Sequence, residues 1–160
     1  MHTNLRMLPQ NLYRSSFLSC EKDCELILRK LFIESKPYSE DLIRLLVVNS
    51  KDCLDNKNSK TINDIVNNMT LEKLIDQSYI RLSPKLLMHE HEEIKSYILI
   101  TFNNFFTSRN PEFRDCTVTF DVICHTDYWD LGNFRMRPLK ICGYIDGILN
   151  NTKLTGIGTF

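Results

Sequence analysis

Residues 113–160 read FRDCTVTFDVICHTDYWDLGNFRMRPLKICGYIDGILNNTKLTGIGTF. From 117 to 124 the side chains alternate. Val118, Phe120, Val122 and Cys124 point one way; Thr117, Thr119 and Asp121 point the other, with Ile123 the apolar exception. Period two with β-branched enrichment predicts a strand. Its mixed second face predicts a sheet buried on one side and partly covered on the other. A polar bend follows, and Arg137-Pro138 then opens a helix, because proline's missing N–H has no partner at the first helical position. Ile141, Ile145, Ile148 and Leu149 recur at the helical period and predict its packing face. Gly143 and Gly147 lie inside that helix, each costing about 1 kcal/mol against alanine. Either they permit close packing on a sheet or neighbouring chain, or they are merely tolerated. Asn150-Asn151 predicts the helix stop. Residues 154–160 read as one further strand, ending on the last residue; it is either a real edge strand or the cut end of a longer chain.

Working backwards, Ile94 to Phe102 predicts the partner of the 117–124 strand. Ile94, Ile98, Ile100 and Phe102 share one face, and Lys95, Tyr97, Leu99 and Thr101 the other. A partly apolar loop over 103–115, with a Ser108-Arg109-Asn110-Pro111 turn, joins the two as antiparallel neighbours. Tyr79 to Leu87 predicts another strand, placed at an edge or break by Pro84.

Before residue 79 the chain reads as helical. Residues 21–34 carry the stripe Ile27, Leu28, Leu31 and Phe32, with acidic Glu21, Asp23 and Glu25 near the positive end of the helix. Lys36-Pro37 breaks it. Ser39 is the expected cap of the next helix, through Leu42, Ile43, Leu45 and Leu46. Residues 49–63 form the most polar stretch, an exposed loop with Cys53 and Leu54 as anchors. Thr61 and Thr70 are expected to cap two short helices over 61–76, the second turning Leu71, Leu74 and Ile75 inward. Residues 1–19 form an apolar N-terminal arm.

The expected class is therefore α/β in the α+β sense: a mostly antiparallel sheet of about four strands with helices packed on one face. A length of 160 residues fits a single domain spanning 1–160. Within it lie the arm at 1–19, a helical region at 21–78 and a sheet-plus-helix core at 79–160. Apolar runs such as Leu45 to Val48 fall far short of the roughly 18 residues that span a bilayer, and no signal peptide pattern is present. Twenty basic and 20 acidic residues balance to zero. That argues against a dominant nucleic-acid surface, which needs a clustered positive patch. Six cysteines are scattered without a disulfide framework, and a reduced intracellular state is expected.

The chemistry-bearing residues form no catalytic pattern. His89, His91, Cys124 and His125 lack the spacing of a zinc site. Cys124 and His125 are adjacent on a strand and so point to opposite faces. Asp121, Asp127, Asp130 and Asp146 could serve a metal-dependent hydrolase only by converging on one ion; Asp127 and Asp130 also suit the bend as turn residues. No cofactor, metal or catalytic residue is expected, and the chain reads as a non-enzyme. Interface-type residues stand out instead. Tyr128, Trp129, Phe134, Arg135, Met136 and Arg137 crowd the 126–137 connection, and Tyr13 and Phe17 lie in the arm. Tyr, Trp, Met and Arg are enriched at interface centres. Trp129 is either such an anchor or a plug in its own core, and Arg135 either grips an anion or partner carboxylate or pairs with Asp130.

Cys124-His125-x-Asp127-x-Trp129, Arg135-x-Arg137-Pro138, the helix through Ile145-Asp146 and Leu154-Thr155-Gly156-Ile157-Gly158 resemble the tail terminator and head–tail joining proteins of tailed bacteriophages. The resemblance covers roughly residues 79–160. It implies a small α/β domain in a homo-hexameric ring at the neck of the virion, assembled in the bacterial host cytoplasm. It implies contacts with a connector, stopper or portal-proximal protein and with the tail tube protein, no membrane, and DNA passing through unrecognised. The arm and the loops at 49–63 and 103–115 would meet neighbours. The alternative is an intracellular binding or scaffolding module outside any virus.

Overall fold

The computed structural model describes residues 16–55, 59–82, 95–107, 114–150, 152–154 and 158–159. Helix α1 (Ser16–Arg29) continues as a π-helical turn, Lys30–Glu34. Helices α2 (Tyr38–Val47), α3 (Lys60–Asn67) and α4 (Leu71–Asp76) follow. Strands β1 (Ile80–Arg81), β2 (Ser96–Thr107) and β3 (Arg114–Cys124) come next. A 3-10 turn (Thr126–Tyr128) leads towards α5 (Arg137–Leu149), then β4 (Lys153–Leu154) and β5 (Gly158–Thr159).

The α+β class stands: a helical N-terminal region and a small mixed sheet with helices packed on one face. The sheet has the order β1-β2-β3. β2 and β3 are antiparallel, with Ser96 opposite Cys124, Ile98 opposite Val122 and Ile100 opposite Phe120. β1 runs parallel to β2 through Ile80–Ile98 and Arg81–Leu99. Ile80, Ile98 and Ile100 enter the common core, and Phe102, Val118, Phe120 and Val122 pack against it from partly buried positions. Among the described residues the expected shared face of both long strands is therefore the observed inward one; Ile94 lies outside them. Tyr97 and Leu99 are buried on the opposite face, where the Arg81 guanidinium lies 4.1 Å from the centre of the Tyr97 ring.

Helix α2 is the hub. It buries Leu42, Ile43, Leu45 and Leu46, and also Ser39, Asp41 and Arg44. A helix buried nearly all round must satisfy its polar side chains inside the protein. Arg44 hydrogen-bonds Asn63, and Asp41 accepts from the Tyr144 hydroxyl at 3.1 Å. Helix α5 adds Ile141, Ile145, Ile148 and Leu149 to the same core, the four residues its periodicity selected.

Several expectations are corrected. The long strands extend to Thr107 and start again at Arg114, so the described parts of the loop expected over 103–115 are strand, and the turn expected at 108–111 lies outside the described residues. A bulge between Asn103 and Phe106, with Asn104 at φ +51°, absorbs an irregularity that alternation cannot register. The expected strand over 154–160 is instead a two-stranded antiparallel sheet, β4 with β5, separate from the main one. α1 starts at Ser16, inside the expected arm. Ser39 does not cap α2: the helix begins at Tyr38, and no side chain bonds its first turn from Pro37. Ser59 rather than Thr61 caps α3, while Thr70 Oγ1 does accept the Lys73 N–H at 3.3 Å and cap α4. Leu74 is buried, but Ile75 is 37% exposed. Gly143 and Gly147 have no group within 4 Å of where a Cβ would stand, so neither serves close packing within the chain.

Candidate functional site

Between the 3-10 turn and α5, residues 129–137 fold back on themselves. Arg137 N–H donates to the Trp129 carbonyl at 2.7 Å, Asp130 bridges Met136, and Leu131 N–H donates to the Arg135 carbonyl at 2.9 Å. The turn closes when Arg135 N–H donates to the Gly132 carbonyl at 3.0 Å. Gly132, Asn133 and Phe134 all have positive φ, at +75°, +51° and +60°. Two central residues with positive φ suit a tight hairpin turn, where glycine and asparagine are the usual occupants. Phenylalanine is not. A bulky side chain in the left-handed region costs roughly 1–2 kcal/mol. Phe134 is nonetheless fully exposed at the tip.

The hairpin is held from below. Leu131 is buried in the core. Arg137 is wholly buried, and its guanidinium donates to four main-chain oxygens, with the Cys53 sulfur also beside it. Nε donates to Tyr128 O at 2.7 Å, Nη1 to Leu45 O and to Val48 O (3.0 Å), and Nη2 to Ser50 O at 2.7 Å. Leu45 belongs to the last turn of α2, whose carbonyls lack intrahelical partners and carry the negative end of the helix dipole. The guanidinium satisfies that end and ties it to the 128–129 segment and the 48–50 loop.

Two ion pairs dock the hairpin's polar edge on the same loop region. Arg135 forks onto both carboxylate oxygens of Asp55, and Lys51 Nζ lies 3.4 Å from Asp130 Oδ2. Asp130 Oδ1 also accepts the Gly132 N–H at 2.7 Å. The Arg135 hydrogen bonds hold the Asp55 carboxyl below its ordinary value, and the Gly132 N–H, with Lys51, does so for Asp130. Both pairs are exposed, so each is worth little alone.

Beside these pairs, several apolar side chains of the hairpin and the start of α5 are exposed. Trp129 is 45% exposed, Met136 50%, and Leu139 on the first turn of α5 67%. Trp129, Phe134 and Met136 are thus on the surface, with Tyr128 and Arg135 half-buried beside them. Arg137 is a correction: it is wholly buried, engaged by four of the chain's own carbonyls and the Cys53 side chain, and presents no exposed surface to a partner. Arg135 pairs with Asp55 rather than Asp130. Tyr13 lies outside the described residues, as does the side chain of Phe17. Leu139 was missed; directly after Pro138 it lies off the packing stripe of α5, a signal the periodicity already contained. Asp55 and Lys51 were missed because nothing local links them to residues some 80 positions away.

The other chemistry-bearing groups are dispersed. His125 Nδ1 accepts the Asp127 N–H at 3.3 Å and starts the 3-10 turn. Burial pushes the Cys53 and Cys124 thiols up, away from thiolate chemistry. Among the described residues, no three His, Cys, Asp or Glu side chains are placed to hold a metal ion. His89 and His91 lie outside the described residues. No helix among the described residues is long and apolar enough to cross a membrane.

The YomW family model matches residues 39–160, from the first turn of α2 through β5 and including the whole hairpin. The chain belongs to the YomW family. YomW is a phage-associated family, and kinship with phage proteins stands at that level. The match begins inside α2 and leaves out α1. No curated protein and no solved structure matches the chain.

Proposed function

We propose that this YomW protein is a non-enzymatic structural component of a tailed-phage particle, acting as a ring at the head–tail junction. In that ring it joins the connector to the tail tube and surrounds the DNA channel as a tail terminator or neck protein. The observation that carries the reading is the exposure of four large apolar side chains, Trp129, Phe134, Met136 and Leu139, on or beside a hairpin anchored by a buried arginine. Exposed apolar side chains on an anchored mount are what a protein contact requires, and water gives no reason to retain them. Membership of a phage-associated family supports the setting. Zero net charge supports the channel, since a strongly basic lumen would hold DNA through many phosphate contacts. A closed ring also suits one interface repeated around an axis.

The test is deletion of the gene in a phage that carries it, with electron microscopy of the particles. A neck or terminator role predicts DNA-filled heads separated from tails, or tails of uncontrolled length. Density for the chain should lie in a ring about the particle axis in wild-type virions. Intact, infectious particles lacking the chain would refute the proposal.

A further inference from the structure

β3 is an edge of the main sheet: in the order β1-β2-β3 it pairs, among the described residues, with β2 alone. The ladder fixes which of its main-chain groups face that edge. Ile98 N–H donates to the Tyr79 carbonyl, so Ile98 bonds towards β1, and its neighbours Tyr97 and Leu99 bond towards β3. Their partners Ile123 and Asp121 bond back to β2, and the N–H and C=O groups of Val118, Phe120 and Val122 therefore point out at the open edge. Beside that edge lies a hollow of about 440 Å³, lined by Val118, Thr119 and Phe120 of β3 and by Ile145, Asp146 and Leu149 of α5. Thr119 and Phe120 belong to opposite faces of the strand, so the hollow runs along the edge itself.

The chemistry of this edge specifies its occupant. Outward main-chain donors and acceptors call for an extended chain. The apolar lining of Val118, Phe120, Ile145 and Leu149 calls for apolar side chains at alternate positions of that chain. Asp146 at the hollow and Asp121 on the opposite face of β3 are exposed carboxylates, and neither forms an ion pair among the described residues. Arg81, on the same face as Asp121, already lies over the Tyr97 ring and donates to the Ser78 carbonyl. A second copy of β3 does not answer this chemistry. Residues 116–124 hold Asp121 and no cation, so it would bring carboxylate to carboxylate. We propose that the open edge of β3 takes up, as an added strand, an extended segment of a partner protein with apolar residues at alternate positions and lysine or arginine between them. The apolar set enters the hollow over Phe120 and Ile145. A basic residue of the other set stands beside Asp121, and one at the end of the segment reaches Asp146. This contact goes beyond the ring reading and does not depend on it.

Magnetic resonance of the isotope-labelled full chain, titrated with the peptide acetyl-Thr-Val-Lys-Val-Lys-Val-Thr-amide, tests it. The amide signals of Val118, Phe120 and Val122 should move as peptide is added, and their hydrogen exchange should slow. Replacing both lysines of the peptide by glutamate should weaken binding by about ten-fold or more, the combined effect expected of two exposed charge pairs. The double variant Asp121→Lys, Asp146→Lys should reverse that preference and favour the glutamate peptide. The comparison of the two peptides on the wild-type chain needs no variant, so the test survives a variant that fails to fold. Amides of Val118, Phe120 and Val122 that stay in place at millimolar lysine peptide overturn the inference, and so does equal binding of the two peptides. It is overturned, too, if those amides shift when the chain alone is concentrated, because a second copy then occupies the edge.

Discussion

Replacing Arg137 by alanine should cost the protein about 3–5 kcal/mol. The change deletes four hydrogen bonds from a guanidinium to Tyr128 O, Leu45 O, Val48 O and Ser50 O. At about 1.5–3 kcal/mol for each bond involving a charged group, the gross loss is about 6–12 kcal/mol. Returning the guanidinium's desolvation gives back several kcal/mol. Three acceptors are only partly buried and can take water, but the Leu45 carbonyl is buried and left without a partner, at about 1–3 kcal/mol. The remainder falls in the range found when one member of a buried charged network is removed. A domain of this kind has about 5–15 kcal/mol in total, so the variant would be marginal. The chain has one tryptophan, Trp129, whose carbonyl accepts the Arg137 N–H. Urea unfolding read by Trp129 emission and by far-ultraviolet dichroism therefore reports the hairpin and the fold separately. The Trp129 signal should shift first in Arg137→Ala. Arg137→Lys should lie between the two, because an ammonium cannot span four diverging oxygens as the planar fork does. A loss below about 1 kcal/mol in Arg137→Ala would show that the carbonyl cage is not what holds the hairpin.

Phe134→Gly should leave monomer stability unchanged or raise it by up to about 1 kcal/mol, since relief of the left-handed backbone outweighs glycine's extra freedom in the unfolded chain. A drop of more than about 1 kcal/mol in a urea titration would mean that the exposed ring is packed in solution. The Asp55 and Asp130 carboxyls are depressed below their ordinary value of 3.8, so their contribution is present above that pH and lost as pH falls through the lower folded values. Acid titration of Trp129 emission should show the hairpin loosening in that window, and Asp55→Asn should flatten part of it. Burial, with Asp41 beside it, pushes the Tyr144 hydroxyl up to about 12 from 10. Its contribution is full below pH 10 and declines as pH rises towards 12; Tyr144→Phe should remove that alkaline slope, as measured by urea midpoints across the range.

The class of fold and the inward faces of β2, β3 and α5 were legible because burial imposes a period on the sequence, as in Ile98, Ile100, Val122 and Ile145. The start of α5 was legible for a local reason, the proline at its first turn. What escaped was decided over distance. The 154–160 segment reads as one strand because its alternation survives; only the pairing of Lys153 with Thr159 makes it a hairpin. Ser39 looks like a cap because its chemistry suits one, yet burial claims it as an interior residue of α2. At the candidate site, residue types flagged the right stretch and erred within it. Arg137 and Arg135 look equivalent two positions apart. One faces the main-chain oxygens of α2 and its following loop and the other faces Asp55, and only the folded path of residues 45–55 separates their roles.

Because Arg137 grips residues 50 and 128 by their backbone oxygens, the side chains at Ser50 and Tyr128 carry none of the anchoring through those contacts. Those positions can change identity while the mount stays fixed, and so can the exposed apolar residues. One arginine under the hairpin leaves the exposed surface free to vary, residue by residue, without rebuilding the frame beneath.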